Sequence, residues 1–341
     1  MSKTQGGQDC PPLSLTPPYR SIKWGERSYS ILDQRELPLK KIYLNLPDIP
    51  SAANAIKTLA VRGAPLIGVA AALALAHVAR KGASAVALNR GIKILASTRP
   101  TAVNLFSSLE RMSKIIEVAD SRDEIVREAL RIWDKERCNS VAMADAGQVL
   151  IQDGMKVGTY CNTGGLAAPG LGTALGVIIK AHLEGKKIEV VVPETRPLLQ
   201  GARLTAWELK QWGIPYTLVT ESTLASIVSQ LDAVFVGADR ISSNGDTANK
   251  VGTHGFAILA RHFKVPFYVV APTTTFDLNL RRGSEIPVEE RDPQEVRRFG
   301  VVRTAPSSAR VFNPAFDVTP ARLISAFVTE QGISRPPFKK V

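Results

Sequence analysis

Cysteine and histidine are scarce: the chain has 3 of the former, Cys10, Cys138 and Cys161, and 4 of the latter. The cysteines are scattered and form no C-x-x-C pair, so neither a disulfide framework nor a zinc knuckle is expected, and a reducing compartment fits best. His77, His182, His254 and His262 do not cluster into a metal motif, so no metal is implied. Long apolar runs are missing as well. Stretch 66–79 is interrupted by His77 and falls short of the ~20 residues that a membrane helix needs, and residues 1–8 lack the apolar centre of a secretory signal. The chain therefore reads as cytoplasmic, with no membrane partner. No G-x-x-x-x-G-K-[ST] phosphate loop occurs, which argues against an ATPase. Residues 170–176 look like a dinucleotide fingerprint, but the last glycine falls one position late, which argues against a nicotinamide enzyme.

What is present is an ordinary globular composition. The 341 residues are 45% hydrophobic and 22% charged, enough for a substantial core and a length typical of about two domains. The net charge of +12 is permissive of an anionic partner. Nucleic acid, an acidic membrane surface and a phosphorylated metabolite all satisfy it, with nucleic acid the weaker reading once the motifs are considered.

Two rhythms divide the chain. Residues 1–20, with Pro11, Pro12, Pro17 and Pro18, read as a flexible arm. Residues 22–32 surround Gly25 with β-forming side chains, a hairpin candidate. Helical spacing of Ala, Leu and Ile then covers 52–59, 66–79, 85–95, 103–118 and 123–146. From 155 onward, apolar runs at 157–161, 188–193, 216–219, 233–236 and 267–271 read as strands. They alternate with helical stretches at 171–182, 199–212, 224–230 and 251–263. A final helix is expected over 321–329, with Thr319 as cap and Pro320 in its first turn. The expected fold class is thus α/β: a Rossmann-like parallel-sheet domain over 151–335, preceded by a smaller, mainly helical domain over 21–150 with an N-terminal β-hairpin.

Ligands of open parallel sheets bind beyond the carboxyl ends of the strands. Three expected strand ends carry reactive or polar strings: Cys161-Asn162-Thr163-Gly164-Gly165, Glu194-Thr195-Arg196-Pro197 and Gly237-Ala238-Asp239-Arg240. Cysteine commonly fills cores, but Cys161 at a strand end, before a helix N-terminus, is placed where a thiolate is favoured. Asp239 reads either as a turn residue of the 239–246 loop or as an acid beside that thiol. A second string, Arg62-Gly63-Ala64-Pro65, suits a helix start whose free amides face an anion, with Arg62 as a bidentate donor. Arg99 lies in a polar turn before the next helix; most arginines in such turns are simply solvated.

Together these strings resemble the family that contains methylthioribose-1-phosphate isomerase, ribose-1,5-bisphosphate isomerase and the regulatory subunits of translation initiation factor 2B. The resemblance runs from about residue 31 to 327. It is carried by Leu32-Asp33-Gln34 with Leu37-Pro38, by Arg62-Gly63-Ala64-Pro65, by Arg99-Pro100-Thr101-Ala102-Val103-Asn104-Leu105, by Glu194-Thr195-Arg196-Pro197 with residues 200–209, and by Gly237-Ala238-Asp239-Arg240 with Asn249-Lys250. The Arg99 string and the 200–209 run favour the methylthioribose branch. That branch implies a cofactor-free aldose–ketose isomerase of methionine salvage acting on a phosphorylated pentose, and a homodimer. By position it implies Cys161 and Asp239 as the catalytic pair. It also implies Arg62, Gly63, Ala64, Arg99, Gln200, Asn249 and Lys250 as substrate-binding residues, the last three expected at helix starts near strand ends. Ribose 1,5-bisphosphate, 5-deoxyribose 1-phosphate and a non-catalytic regulatory role remain as alternatives. The chain departs from the family pattern at Tyr160, where histidine is usual, and at Ala168, Pro169 and Leu171 in the turn that follows.

Overall fold

The computed structural model describes residues 17–99 and 102–336. Most of the arm expected over 1–20, including Cys10, lies outside them, as do Pro100 and Thr101. The described end of the arm is anchored: Tyr19 is 4% exposed and packs edge-on against Trp207, with ring centroids 4.8 Å apart.

Strands β1 (Ile22–Trp24) and β2 (Tyr29–Leu32) form the expected antiparallel hairpin, and β3 (Tyr43–Asn45) extends it. Helix α1 (Ile49–Lys57) starts where Asp48 caps it, Oδ1 accepting from the Ser51 amide at 2.9 Å. Helix α2 (Ala64–Arg80) begins after Gly63 with Pro65 in its first turn, and is apolar nearly all round because it is the centre of a helical core. Around it pack α3 (Ala85–Ala96), α4 (Val103–Val118) and the first half of α5 (Arg122–Gly147). Full burial of α2 side chains such as Leu66, Leu73 and Leu75 stabilises this core by roughly 1.5–3 kcal/mol each. Among the described residues no helix is long and apolar enough to cross a membrane.

Helix α5 joins both halves. Ile125, Val126, Ala129 and Ile132 belong to the helical core, whereas Met143 and Ala144 belong to the core beneath the large sheet. That sheet is built from β4 (Lys156–Thr159), β5 (Glu189–Pro193), β6 (Tyr216–Val219), β7 (Ala233–Val236) and, farther along, β10 (Phe267–Val270), β15 (Ala326–Thr329) and β16 (Gly332–Ser334). Between β4 and β7 the crossovers include α6 (Ala174–Leu183), α7 (Ala206–Trp212) and α8 (Leu224–Ile227). Helix α9 (Thr253–His262) precedes β10. The strand order is β16-β15-β10-β7-β4-β5-β6, parallel except for the β16 edge. This is the doubly wound arrangement, and the winding reverses between β4 and β7.

Three expectations are corrected. Residues 321–329 are not a helix: a short 3-10 turn at Ala321–Leu323 leads into β15, whose four residues are all buried. Pro320 suited a helix start, but Phe327, Val328 and Thr329 suit a strand covered on both faces. Residues 240–250 are not a loop and a helix start. They form β8 (Arg240–Ser242) and β9 (Thr247–Lys250), part of a small second sheet with β11 (Phe276–Asp277) and β14 (Phe316–Thr319). Lastly, Cys138 is disulfide-bonded, whereas Cys161 is a free thiol. A short helix, α10 (Gln294–Arg297), and a two-stranded ribbon, β12 (Arg298–Phe299) with β13 (Val302–Arg303), lie between β11 and β14.

Candidate active site

The reversal of winding places the carboxyl ends of β4 and β7 side by side, with Thr159 opposite Phe235. Two residues beyond Thr159 stands Cys161, and four beyond Phe235 stands Asp239. Both line one pocket. Its wall also includes Arg62, Gly63, Ala64, Arg99, Gln200, Asn249 and Lys250, so all nine residues singled out from the sequence meet there. They come from the start of α2, the turn before α4, the ends of β4 and β7, the turn after β5, and β9.

Backbone strain surrounds the thiol. Cys161, Thr195 and Leu199 have φ values of 59°, 66° and 58°, the left-handed region that non-glycine residues seldom occupy. The twist at Cys161 is held from both sides. Its amide donates to Thr195 Oγ1 at 3.1 Å, and its carbonyl accepts from Thr205 Oγ1 at 2.5 Å. Arg62 then closes over it: Nη1 donates to Asn162 Oδ1 at 2.8 Å and Nη2 to the Asn162 carbonyl at 3.2 Å, which leaves Nη2 4.0 Å from Cys161 Sγ.

Asp239 is held at its backbone, its amide donating to the Ala248 carbonyl at 2.9 Å. Burial pushes its carboxyl above the ordinary range, and the charges of Lys250, Arg62 and Arg99 pull it partly back. Lys250 answers in the opposite sense. Burial lowers its ammonium, while Cys161 and Asp239 draw it up again, so one cation serves both reactive groups. Its Nζ donates to the Ala315 carbonyl at 2.9 Å and lies 5.1 Å from the Phe316 ring centroid.

Other polar groups point inward without protein partners. Gln200 is 4% exposed, and its Oε1 has no hydrogen-bond partner; the same is true of Arg99 Nε. Arg99 is otherwise tied to Glu289 at 3.6 Å, and Glu289 also bridges to Arg291, a pocket cation that the sequence reading missed. Nothing local in the 276–316 segment signalled it, because its position depends on long-range packing.

The first-turn amides of α2 are not all free: Leu66 donates to the Ala167 carbonyl at 3.1 Å. Residues 199–212 are not a plain helix either. A π-turn over Gly201–Thr205 precedes α7, and Gly201 is required there, since a Cβ would fall 1.8 Å from the Pro193 carbonyl oxygen. Asn249 and Lys250 lie on β9, not at a helix start. Of the four departures from the family pattern, only Ala168 lines the pocket. Tyr160, Pro169 and Leu171 do not line it, and the Tyr160 hydroxyl donates to the Val251 carbonyl at 2.9 Å. Among the described residues no group of three or more His, Cys, Asp or Glu could hold a metal ion.

Residues 60–336 match the model of the Initiation factor 2 subunit family. The chain is 48% identical over 332 residues to the methylthioribose-1-phosphate isomerase of Heliobacterium modesticaldum, covering 93% of this chain and 96% of that protein. It is 46% identical over 338 residues to the 5-deoxyribose 1-phosphate isomerase of Moorella thermoacetica, covering 95% and 96%. The solved structure of 5-methylthioribose 1-phosphate isomerase from Pyrococcus horikoshii superposes with a TM-score of 0.88 at 40% identity, covering 95% of each chain.

Proposed function

The chain belongs to the Initiation factor 2 subunit family, and we propose that within it this chain is an aldose–ketose isomerase of methionine salvage, converting 5-methylthioribose 1-phosphate into 5-methylthioribulose 1-phosphate. One observation carries the reading: a thiol and a buried carboxyl from adjacent strand ends share a pocket with Arg62, Arg99 and Lys250. Three cations suit a phosphate ester, and the thiol and carboxyl suit proton movement.

Phosphate on the anomeric oxygen blocks the ring opening that a free sugar undergoes, so an acid must protonate the ring oxygen as its bond to carbon 1 breaks. Asp239 has that role, because burial favours its protonated form. One hydrogen must then leave carbon 2 and reach carbon 1. Either Cys161 carries it as a proton through an enediol-like intermediate, or it passes directly as a hydride while Cys161 stabilises the transition state. Arg62, Gly63, Ala64, Arg99, Gln200, Asn249 and Lys250 bind the sugar phosphate. Gln200 Oε1 and Arg99 Nε, both unpartnered, are available to a sugar hydroxyl and a phosphate oxygen. The reading includes a cytoplasmic homodimer and closure of the two halves of the chain over substrate, which would exclude water.

A second substrate has a specific observation behind it: the likeness to the Moorella protein named for 5-deoxyribose 1-phosphate. That sugar differs only at carbon 5, away from the reacting end. Turnover of the two substrates and of ribose 1,5-bisphosphate in competition ranks them. The methylthio sugar is expected to win, and preference for the bisphosphate would overturn the assignment. Solvent deuterium appearing at carbon 1 supports the proton route.

A further inference from the structure

Glu208 on α7 is 0% exposed, does not line the pocket and has no task in the scheme above. A carboxylate sealed in a protein is costly unless every oxygen is paired. Here the pairing is complete: Oε1 accepts from the Tyr19 hydroxyl and from the Leu166 amide, the latter at 2.9 Å, while Oε2 accepts from Asn162 Nδ2 at 2.6 Å. All three partners donate here, the Leu166 amide and Asn162 Nδ2 obligatorily, which offsets part of the burial cost. Burial pushes the Glu208 carboxyl above its ordinary range, and the bonds from Tyr19, Asn162 and Leu166 pull it only partly back. Gly164 leaves room for it, since a Cβ there would fall 2.2 Å from Oε2.

Two acceptors, Glu208 Oε2 at 2.6 Å and Thr205 Oγ1 at 3.3 Å, fix how the Asn162 amide sits, and Glu208 is the nearer and the charged one. The amide NH2 must face Glu208, which turns the amide oxygen to the other side, where it accepts from Arg62 Nη1 at 2.8 Å. The same guanidinium reaches Cys161 through Nη2. We propose that Glu208, clamped by Tyr19, is a positioning residue: by fixing the Asn162 amide it holds Arg62 beside the Cys161 sulfur. Its relevance to turnover rests on the isomerase reading, whereas its effect on the thiol does not. Docking of Tyr19 thereby reaches a pocket that the described residues of the N-terminal segment, 17–21, do not line.

Two full-length variants test this. Tyr19→Phe keeps the ring against Trp207 and removes only the hydroxyl. Glu208→Gln replaces an obligatory acceptor by an amide that both donates and accepts, so the Asn162 orientation loses its charged anchor and rests on Thr205 Oγ1 and Arg62 alone. Each protein is treated with iodoacetamide at about pH 7 and about pH 9.5, Cys161 modification is followed by peptide mass spectrometry, and kcat/KM is measured alongside. Only the thiolate reacts, and a neighbouring cation raises its share near neutrality but adds nothing once thiols are fully ionised. Modification near pH 7 is expected to slow about threefold in Tyr19→Phe and about tenfold in Glu208→Gln, with rates near pH 9.5 within about twofold of the parent. kcat/KM is expected to fall by similar factors. Unchanged rates at both pH values, or faster rates at both as looser packing would give, overturn the proposal; if Glu208→Gln does not fold, Tyr19→Phe decides alone. A parent inactive on methylthioribose 1-phosphate would overturn the isomerase reading and leave the alkylation contrast intact.

Discussion

The Arg62 guanidinium stands 4.0 Å from the Cys161 sulfur although the two residues are 99 positions apart in the chain. The contact joins the start of α2, in the helical half, to the end of β4, at the centre of the large sheet. It sets a fixed positive charge and a hydrogen-bond donor beside the sulfur at the site where the hydrogen transfer is proposed.

Cys161→Ser and Asp239→Asn are nearly isosteric, so both should keep the parent's melting temperature within a few degrees while losing turnover. General acid–base groups contribute roughly 10²–10⁴-fold, and a loss in that range is expected for each. Thermal melts and initial rates on the same preparations check it. A near-parental rate removes that residue from the mechanism.

The pH profile follows from the sign of the Asp239 shift. An acid must carry its proton, and burial raises this carboxyl above its ordinary range. The activity limb assigned to Asp239 therefore lies at higher pH than that of an exposed aspartate, with kcat/KM falling as pH rises through it. Linkage has the same sign: folding favours the protonated form, a contribution present below the unfolded value and lost as pH rises through the folded one. Comparing the kcat/KM profile with the residual profile of Asp239→Asn checks this, since the limb should vanish in the variant.

Gly63 has φ +97°, and a Cβ there would lie 2.3 Å from the Ala167 carbonyl oxygen, a backbone atom that cannot swing aside. Gly63→Ala should destabilise the fold by about 2 kcal/mol or more, since such a conformation alone costs roughly 1–3 kcal/mol in a residue with a side chain. Denaturant titration reads the loss as a lower midpoint.

Glu289 holds Arg99 at 3.6 Å and Arg291 at 3.0 Å, two cations that line the pocket. A substrate phosphate competes with that carboxylate for them. Glu289→Gln should lower KM about two- to fivefold, the factor matching a partly exposed ion pair worth up to about 1 kcal/mol. Steady-state kinetics, with inorganic phosphate as a competitive inhibitor, measures it.

The elements that can be read from the sequence are those with local causes. The five N-terminal helices and the strands β4, β5, β6, β7 and β10 announce themselves through the spacing of their apolar residues. Strand-end logic alone brings Cys161 and Asp239 to one crevice, because the winding reverses between β4 and β7. What stays hidden has distant causes. Residues 326–329 become a strand because β10 offers a parallel edge, overriding the helix signal of Thr319-Pro320. Lys250 lies on a strand because β14 pairs with β9, Phe316 opposite Lys250. Glu208 looks like an ordinary helix glutamate until Tyr19 arrives from 189 positions away.

The most direct test incubates the purified full-length protein with 5-methylthioribose 1-phosphate and follows phosphorus and proton resonances. The account predicts steady conversion to the 1-phosphorylated ketose, abolished in Cys161→Ser and Asp239→Asn. An unchanged aldose spectrum with folded parent protein, or equal conversion by both variants, would contradict it.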